Sequence, residues 1–488
     1  MFKYKPLVAM VLVVPLLACV NSRGLHPQLT PTQPSDLGLA RQLDELHAAP
    51  GPWPAQDWWT GLGDPQLDDL IHRALVTNPD IALAEARLRE AQARVQEANA
   101  ARGPDISTTA QAAGMYLPTT LPPPVGVGHY VLEKHVDAGL HWDLDLWGGR
   151  RAAWQAELGR VQVASAERQA TRIALSVNVT RLYAQLGHAF VTRDIAGIEL
   201  ERAQQSQTLT RQRVEAGIDS NTQLRQIDAE VASDRERVTA ADRDIVAKRL
   251  ALGALIGEGP DHSLEMVRPR KIAPLDVAIP ASLTLEIISH RADLTAARWS
   301  VEASRQGIEE SRASFMPNVS LGVLAGFVSV GGSNVLQLPA RFYQVAPSIS
   351  LPIYDGGRRR AELSGRNAQY DAAVAQYDAT LVRSISEVAD QLSALRSLGS
   401  QADDQQQAYL AASDAWQLAE QRYRSGVGSF LETLVVRQQL LVAERHRADL
   451  RFEEVDSSIL LIQALGGGYR PVSDAAPPTA TADLREHP

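Results

Sequence analysis

The apolar positions of this chain follow two periods, in alternating blocks. Val136, Ala138, Leu140, Trp142, Leu144 and Leu146 alternate with Asp137, Gly139, His141, Asp143 and Asp145, the period of two that gives a strand unlike faces. Val319, Leu321, Val323, Ala325 and Phe327 alternate with Asn318, Ser320, Gly322, Leu324 and Gly326. Tyr343, Val345, Pro347, Ile349, Leu351 and Ile353 do the same against Gln344, Ala346, Ser348, Ser350 and Pro352, and Ile106 to Tyr116 alternates more weakly. Four strands are predicted, each close to the roughly 9–11 residues that cross a bilayer. Elsewhere the period is helical. Leu175, Val179, Leu182 and Leu186 are spaced by four, three and four, and Leu381, Ile385, Val388, Leu392 and Leu395 by four, three, four and three. That is the seam of coiled-coil packing.

Proline sets where the helices can run. None occurs between Pro124 and Pro260, or between Pro352 and Pro471, and proline is the strongest breaker of a helix interior. Arg151 to Ala216 and Arg358 to Ser425, rich in Ala, Gln, Arg, Glu and Leu, each predict a helix of about 65 residues, near 100 Å long. A shorter helix opens each block. Asn78 caps one that starts at Pro79 and runs to Ala101, and its counterpart spans about Arg291 to Ser314.

The blocks are two copies of one unit. Pro104-Asp105 recurs as Pro317-Asn318, Asp145-Leu146-Trp147-Gly148-Gly149-Arg150 as Ile353-Tyr354-Asp355-Gly356-Gly357-Arg358, and Arg213-x-x-x-Gly217-x-x-Ser220 as Arg422-x-x-x-Gly426-x-x-Ser429. The order is kept at an offset of roughly 210 residues. The fold class is therefore α+β, a duplicated helix–strand–strand–long helix–long helix unit. Gly217 and Gly426 fall where each long helix must reverse, with Ser220 and Ser429 placed to cap the next one.

Lys3 and Lys5, the apolar run Leu7 to Leu17, and Leu16-Leu17-Ala18-Cys19 form an export signal over 1–18. Cys19 is the one cysteine and stands where a bacterial lipoprotein signal places its acylated residue. Val20 follows it where an aspartate would favour the inner membrane, so the outer membrane is expected. Residues 19–56 read as a lipidated tether, 57–257 and 258–467 as the two repeats, and 468–488 as a disordered tail. No later segment approaches 18 uninterrupted apolar residues, so a bilayer would be entered by strands. Four strands are too few for a closed barrel, and lipid leaves no backbone donor unpaired, so partner chains follow. The formal net charge of −9 argues against nucleic acid.

These landmarks together resemble the TolC family of outer-membrane efflux proteins, in its lipoprotein branch of NodT-like and OprM-like members. The resemblance implies a homotrimer with one 12-stranded membrane barrel set on a long periplasmic α-helical barrel, and an equatorial belt. It also implies a periplasmic adaptor protein and an inner-membrane pump as partners. The two hairpin turns would form the periplasmic tip, making Gly217, Asp219, Arg422, Tyr423, Gly426 and Glu432 candidates for a gate. Gly428 and Val435 stand where better-known members carry a basic residue and a second acid, so the network here departs from theirs. Asp137, Asp143 and Asp145 would face the barrel lumen. Trp142, Trp147, Tyr116, Tyr343 and Tyr354 are candidates for interfacial girdles.

No phosphate-binding Gly-x-x-x-x-Gly-Lys-Ser/Thr, zinc-binding His-Glu-x-x-His or Gly-x-Ser-x-Gly nucleophile turn occurs. An enzyme is not expected, nor a cofactor or metal beyond the lipid on Cys19. The expected function is a passive conduit for small toxic or amphiphilic compounds. A type I protein-secretion duct and a lipoprotein coiled-coil scaffold without a pore are the alternatives.

Overall fold

The computed structural model describes residues 21–33, 51–118, 128, 130–270, 273–275, 277, 280, 283–331 and 334–470. The predicted signal, Cys19 and most of the tail lie outside them. In chain order, a 3-10 turn at Trp58–Leu62 precedes helices α1 (Pro65–Thr77) and α2 (Pro79–Ala100). Strands β1 (Asp105–Tyr116) and β2 (Tyr130–Leu144) follow, then α3 (Gly149–Glu215) and α4 (Asn221–Ile256). The second half opens with the short α5 (Pro260–Leu264) and α6 (Leu283–His290) and repeats the order. It continues with α7 (Ala292–Ala313), β3 (Asn318–Val330), β4 (Arg341–Ser350), α8 (Arg358–Arg424) and α9 (Phe430–Ala464). The duplicated unit is present as predicted, and α3 and α8 are each 67 residues long. Among the described residues no helix is long and apolar enough to cross a membrane.

The chain divides into two units. One comprises Arg87–Ala164 and Ala296–Asp378 with the segment up to Pro31; the other comprises Thr32–Ala86, Ser165–Thr295 and the chain from Ala379.

The first unit holds one antiparallel sheet in the order β1-β2-β3-β4. Its register makes the alternation two-faced. Ile106, Leu140, Val323 and Val345 lie in one row, and Trp142, Leu321 and Pro347 in another on the same face. The opposite face carries the rows Thr109, Asp137, Gly326 and Phe342, and Asp143, Ser320 and Ser348. The apolar face is open in the single chain: Ile106 is 71% exposed, Ile349 74% and Tyr343 84%. An apolar face of this size marks a surface meant for something other than water.

Two strand ends differ from expectation. β2 begins at Tyr130 and stops at Leu144, and β4 stops at Ser350, where the alternation alone predicted Leu146 and Ile353. Helix capping explains both. The Asp145 carboxylate accepts the backbone N–H groups of Arg150 (3.0 Å) and Arg151 (2.8 Å), which the first turn of α3 leaves unpaired. Asp355 accepts those of Gly357 (3.1 Å) and Arg359 (3.2 Å) at the start of α8.

The N-terminal segment of this unit is no free tether where it is described. The Asp371 carboxylate on α8 accepts the N–H groups of Gln28 and Leu29, both at 2.9 Å. Arg360 donates to the carbonyl of Asn21 at 2.7 Å. Between these ties Leu25 packs on Ile308, Phe315, Leu363 and Tyr370. Residues 21–29 thus form a strap along α8.

In the second unit the predicted seam of α3 is buried. Leu175, Val179 and Leu186 pack with Leu67, Leu70 and Ile71 of α1 and with Ile245, Leu252 and Ile256 of α4. Leu381, Ile385, Val388 and Leu392 of α8 are buried as well. The turn into α2 is tied to the end of α4 by Thr77, whose hydroxyl donates to the Ile256 carbonyl at 2.6 Å, and by Asn78, which donates to Leu255 at 2.8 Å.

The strap is testable. Hydrogen bonds to a charged group contribute roughly 1.5–3 kcal/mol, so Asp371→Ala should speed amide exchange at Gln28 and Leu29 on the order of tenfold. Unchanged exchange there would show that Leu25 and the Arg360 bond to Asn21 hold the strap without Asp371.

Candidate functional site

The second unit ends in two hairpin turns, α3 to α4 and α8 to α9, with the same backbone. Gly217 and Gly426 adopt the left-handed conformation, with φ of 74° and 78°, which side chains with a Cβ rarely take. Each closes its helix in the Schellman manner. Gly217 N donates to Val214 O (3.0 Å) and Ile218 N to Arg213 O (2.8 Å), while Gly426 N donates to Tyr423 O (3.1 Å) and Val427 N to Arg422 O (3.0 Å). Ser220 and Ser429 then accept the N–H groups of Gln223 (3.4 Å) and Glu432 (3.1 Å).

The side chains break the symmetry. Asp219, 5% exposed at its side chain, accepts from Arg213 Nε at 2.9 Å and Nη2 at 3.3 Å, and from the Tyr423 hydroxyl at 2.7 Å. The guanidinium also lies over the Tyr423 ring, 4.7 Å from its centroid. Thr210 Oγ1 is 3.4 Å from the same hydroxyl. Tyr423 is buried with Ile227 and Phe430, against Leu209, Leu224 and Leu434. A charge-assisted clasp, dry on one side, thus joins the α3–α4 turn to α8. Burial pushes the Asp219 carboxyl up, but the hydrogen bonds from Arg213 and Tyr423 outweigh it and hold it below the usual carboxylate range. The Asp219 hydrogen bond raises the Arg213 guanidinium further.

Of the gate candidates, the structure brings Asp219 and Tyr423 together between turns set by Gly217 and Gly426. Arg422 and Glu432 stand outside the clasp. Arg422 is the repeat counterpart of Arg213, but Gly428 occupies the place of Asp219. The Arg422 side chain is exposed and has no partner among the described residues. Glu432 is exposed too. Gln223 returns a bond to Ser220 N at 2.6 Å, and no such bond from Glu432 is found among the described residues. Sequence reasoning left Arg213 and Thr210 out of the gate. Arg213 was visible as the first residue of the repeated motif; Thr210, one turn earlier, carried no signal.

The three lumen candidates are all engaged within the chain. Asp137, on the polar face, is nearly buried and takes a contact from His135 Nε2 at 2.6 Å. Asp143 pairs with Arg150 and His141 and accepts from Asn318 Nδ2 at 3.2 Å. Asp145 lies beyond the strand and caps α3, so for it the structure replaces a lumen-facing position with a helix cap. Of the girdle aromatics, Tyr116 meets Tyr130 edge-on at one end of the sheet. At the other end Trp142 and Trp147 donate through Nε1 to the carbonyls of Arg102 (3.1 Å) and Pro317 (2.7 Å). Among the described residues no group of three or more His, Cys, Asp or Glu side chains is arranged to hold a metal.

Residues 70–258 and 283–467 match the family model described as Outer membrane efflux protein. The chain is 29% identical to the multidrug resistance outer membrane protein MdtP of Escherichia coli strain K12, over 91% of this chain and 92% of that one. It is 31% identical to the fusaric acid resistance protein FusA of Burkholderia cepacia, over 68% of this chain and 63% of that one. The crystal structure of the outer membrane protein VceC from Vibrio cholerae superposes with a TM-score of 0.81 at 29% identity, covering 86% of this chain and 100% of that one.

The depressed Asp219 carboxyl fixes the sign of a pH effect. Its contribution is fully present above the ordinary carboxylate value of about 3.9 and is lost as pH falls through the lower value of the folded protein. Amide exchange at Ile218 and Asp219, corrected for intrinsic rates, should therefore match between pH 7 and pH 5 and accelerate only below about pH 4. Asp219→Asn should abolish that acid step. A step of equal size in Asp219→Asn would assign it to another group.

Proposed function

The chain belongs to the outer membrane efflux protein family, and on that footing we propose that three copies assemble into one conduit across the outer membrane. The protein is an outer-membrane efflux channel and not an enzyme. The observation that carries the trimer is the sheet. It has an exposed apolar face, a polar face, and two outer strands, β1 and β4, with no further strand beside them among the described residues. Backbone donors at such edges find no water in lipid, so they need neighbouring chains. Three copies would give the 12 strands that the resemblance implies, with Asp137 and Asp143 on the inner face and the Ile106 row toward the acyl chains. Tyr116 and Tyr130 at one end and Trp142 and Trp147 at the other suit the two interfaces.

In this reading the long helices stand in the periplasm and the paired hairpin turns form the closed tip. Asp219 and Tyr423 hold the tip shut, and exposed Arg422 and Glu432 are left free to meet a periplasmic adaptor. An inner-membrane pump supplies the energy, since the channel has no source of its own. The relatives are named for resistance to multiple drugs and to fusaric acid, which supports small toxic or amphiphilic compounds as cargo. Cys19, carrying the only thiol, is the acylation site that would make the chain a lipoprotein. The strap over residues 21–29 would bring the anchor to the body.

The purified full-length chain should run as a heat-resistant trimer and conduct ions in planar bilayers. Its deletion should sensitise cells to a panel of amphiphilic toxins. A water-accessible monomer without conductance would restore the scaffold reading. Unchanged sensitivity with loss of an exported protein would favour the secretion duct.

A further inference from the structure

Helix α9 carries an arginine in its packing seam. Its buried positions Phe430, Thr433, Arg437, Leu440 and Leu441 follow the three–four spacing of a coiled-coil contact, and Arg437 is 3% exposed. It lies between two other helices. Its Nε donates to Glu199 Oε2 of α3 at 3.2 Å, and its Nη2 donates to the Glu199 carbonyl and to Asp234 Oδ2 of α4, both at 3.0 Å. Glu199 and Asp234 are themselves 1% and 0% exposed. Arg202 extends the network by donating to Glu199 at 2.6 Å and to Glu444 of α9 at 3.2 Å, and Arg237 pairs with Asp234. Nη1 of Arg437 has no partner among the described residues.

Stability is a poor reason for such a node. Replacing a buried ion pair by apolar side chains of similar volume is often neutral or better, and an unpaired buried donor makes the balance worse. What a buried polar node does supply is a fixed relation between helices. This one ties α9 to both α3 and α4 at a single level. The Asp219–Tyr423 clasp ties the same two hairpins together at their tip. Between Glu199 and Arg213 lies roughly 20 Å of α3.

The two levels differ in how they can be broken. The clasp is flanked by the exposed Gly217, Ile218 and Val427, so water can take over its hydrogen bonds when it parts. Parting the node strands charges in a dry interior, where nothing replaces their partners.

We propose that Arg437, with Glu199 and Asp234, is the stop that limits how far the two hairpins separate once the tip clasp releases. It is a positioning residue for the channel's opening, and this role rests on the reading of the tip as the closed end. Opening is confined to the last few turns of the helices, and the node sets the width of the open state.

The test is a double-mutant cycle read as single-channel conductance of full-length trimers in planar bilayers. The clasp is loosened by Tyr423→Phe, which removes the hydroxyl bond to Asp219. The charge-free node is Glu199→Gln, Asp234→Asn and Arg437→Met together, which removes the three central charges and leaves Arg202 and Arg237 to Glu444 and Glu230. Tyr423→Phe alone should raise conductance. Combining it with the charge-free node should raise it further, by more than the product of the separate effects and about threefold over Tyr423→Phe alone. If the charge-free variant does not form heat-resistant trimers, Arg437→Lys takes its place. Lysine keeps the charge but lacks the fork that bridges both acids, so the same direction with a smaller rise is expected. If Tyr423→Phe conducts more and no node variant adds to it, the stop is overturned while the tip reading stands. If Tyr423→Phe conducts as the parent does, the tip reading fails and the stop with it.

Discussion

One constraint governs this protein: a four-stranded sheet that is apolar on one face must pair the backbone of its outer strands. In water the two edges of β1 and β4 would bond to solvent, but the exposed Ile106, Val345 and Ile349 make water the wrong surroundings for the face they share. In lipid the face is satisfied and the edges are not. Closure with further copies, as proposed above, would remove both problems. The ends of the strands belong to the same solution. Asp145 and Asp355 turn the chain out of the sheet by taking up the first N–H groups of α3 and α8, so the sheet stops where the long helices start.

Duplication supplies the frame, and departures from it supply the specificity. Both hairpin turns use a left-handed glycine and a serine cap, so their backbones match closely. Asp219 in one turn corresponds to Gly428 in the other, and Gln223 to Glu432. Only the first turn can therefore hold a clasp within itself through Arg213, and it reaches across to Tyr423 of the second repeat. A symmetric pair of hairpins is thereby given an asymmetric bond. In consequence Arg422, equivalent in sequence to the clasped Arg213, is left exposed.

Much of this was legible in the residues. Helix ends were placed within a residue or two by the proline deserts, by Asn78-Pro79 and by the glycines. Strand faces were fixed by the period of two. What failed had physical causes. Alternation alone could not tell that Asp145 would leave the sheet, because an acid just past the end of a strand reads the same as one inside it. The strap was misread because Pro, Gln and Thr suggest a linker, while its ties depend on Asp371 and Arg360, more than 300 positions away. Arg437 gave no signal at all. A charged residue on a long helix is normally a solvated one, and only the seam of three packed helices reveals that it is dry.

A passive channel also limits how firmly its own tip can be held. A partner shifts a closed–open equilibrium only by as much as it prefers the open form, and a hundredfold shift needs about 2.7 kcal/mol of such preference. A clasp of a few hydrogen bonds, three of them to the Asp219 carboxylate and the Tyr423 one joining the two hairpins, contributes on the order of 1–3 kcal/mol per bond. That lies within reach of a single protein interface. On the proposed reading of the tip, the clasp is itself nearly buried but lies beside the exposed Gly217, Ile218 and Val427, so water can reach its groups as they part. Parting the Arg437 node instead separates charges enclosed by three helices. On that reading, the bonds proposed to break sit beside exposed backbone, and those proposed to hold sit where no water enters.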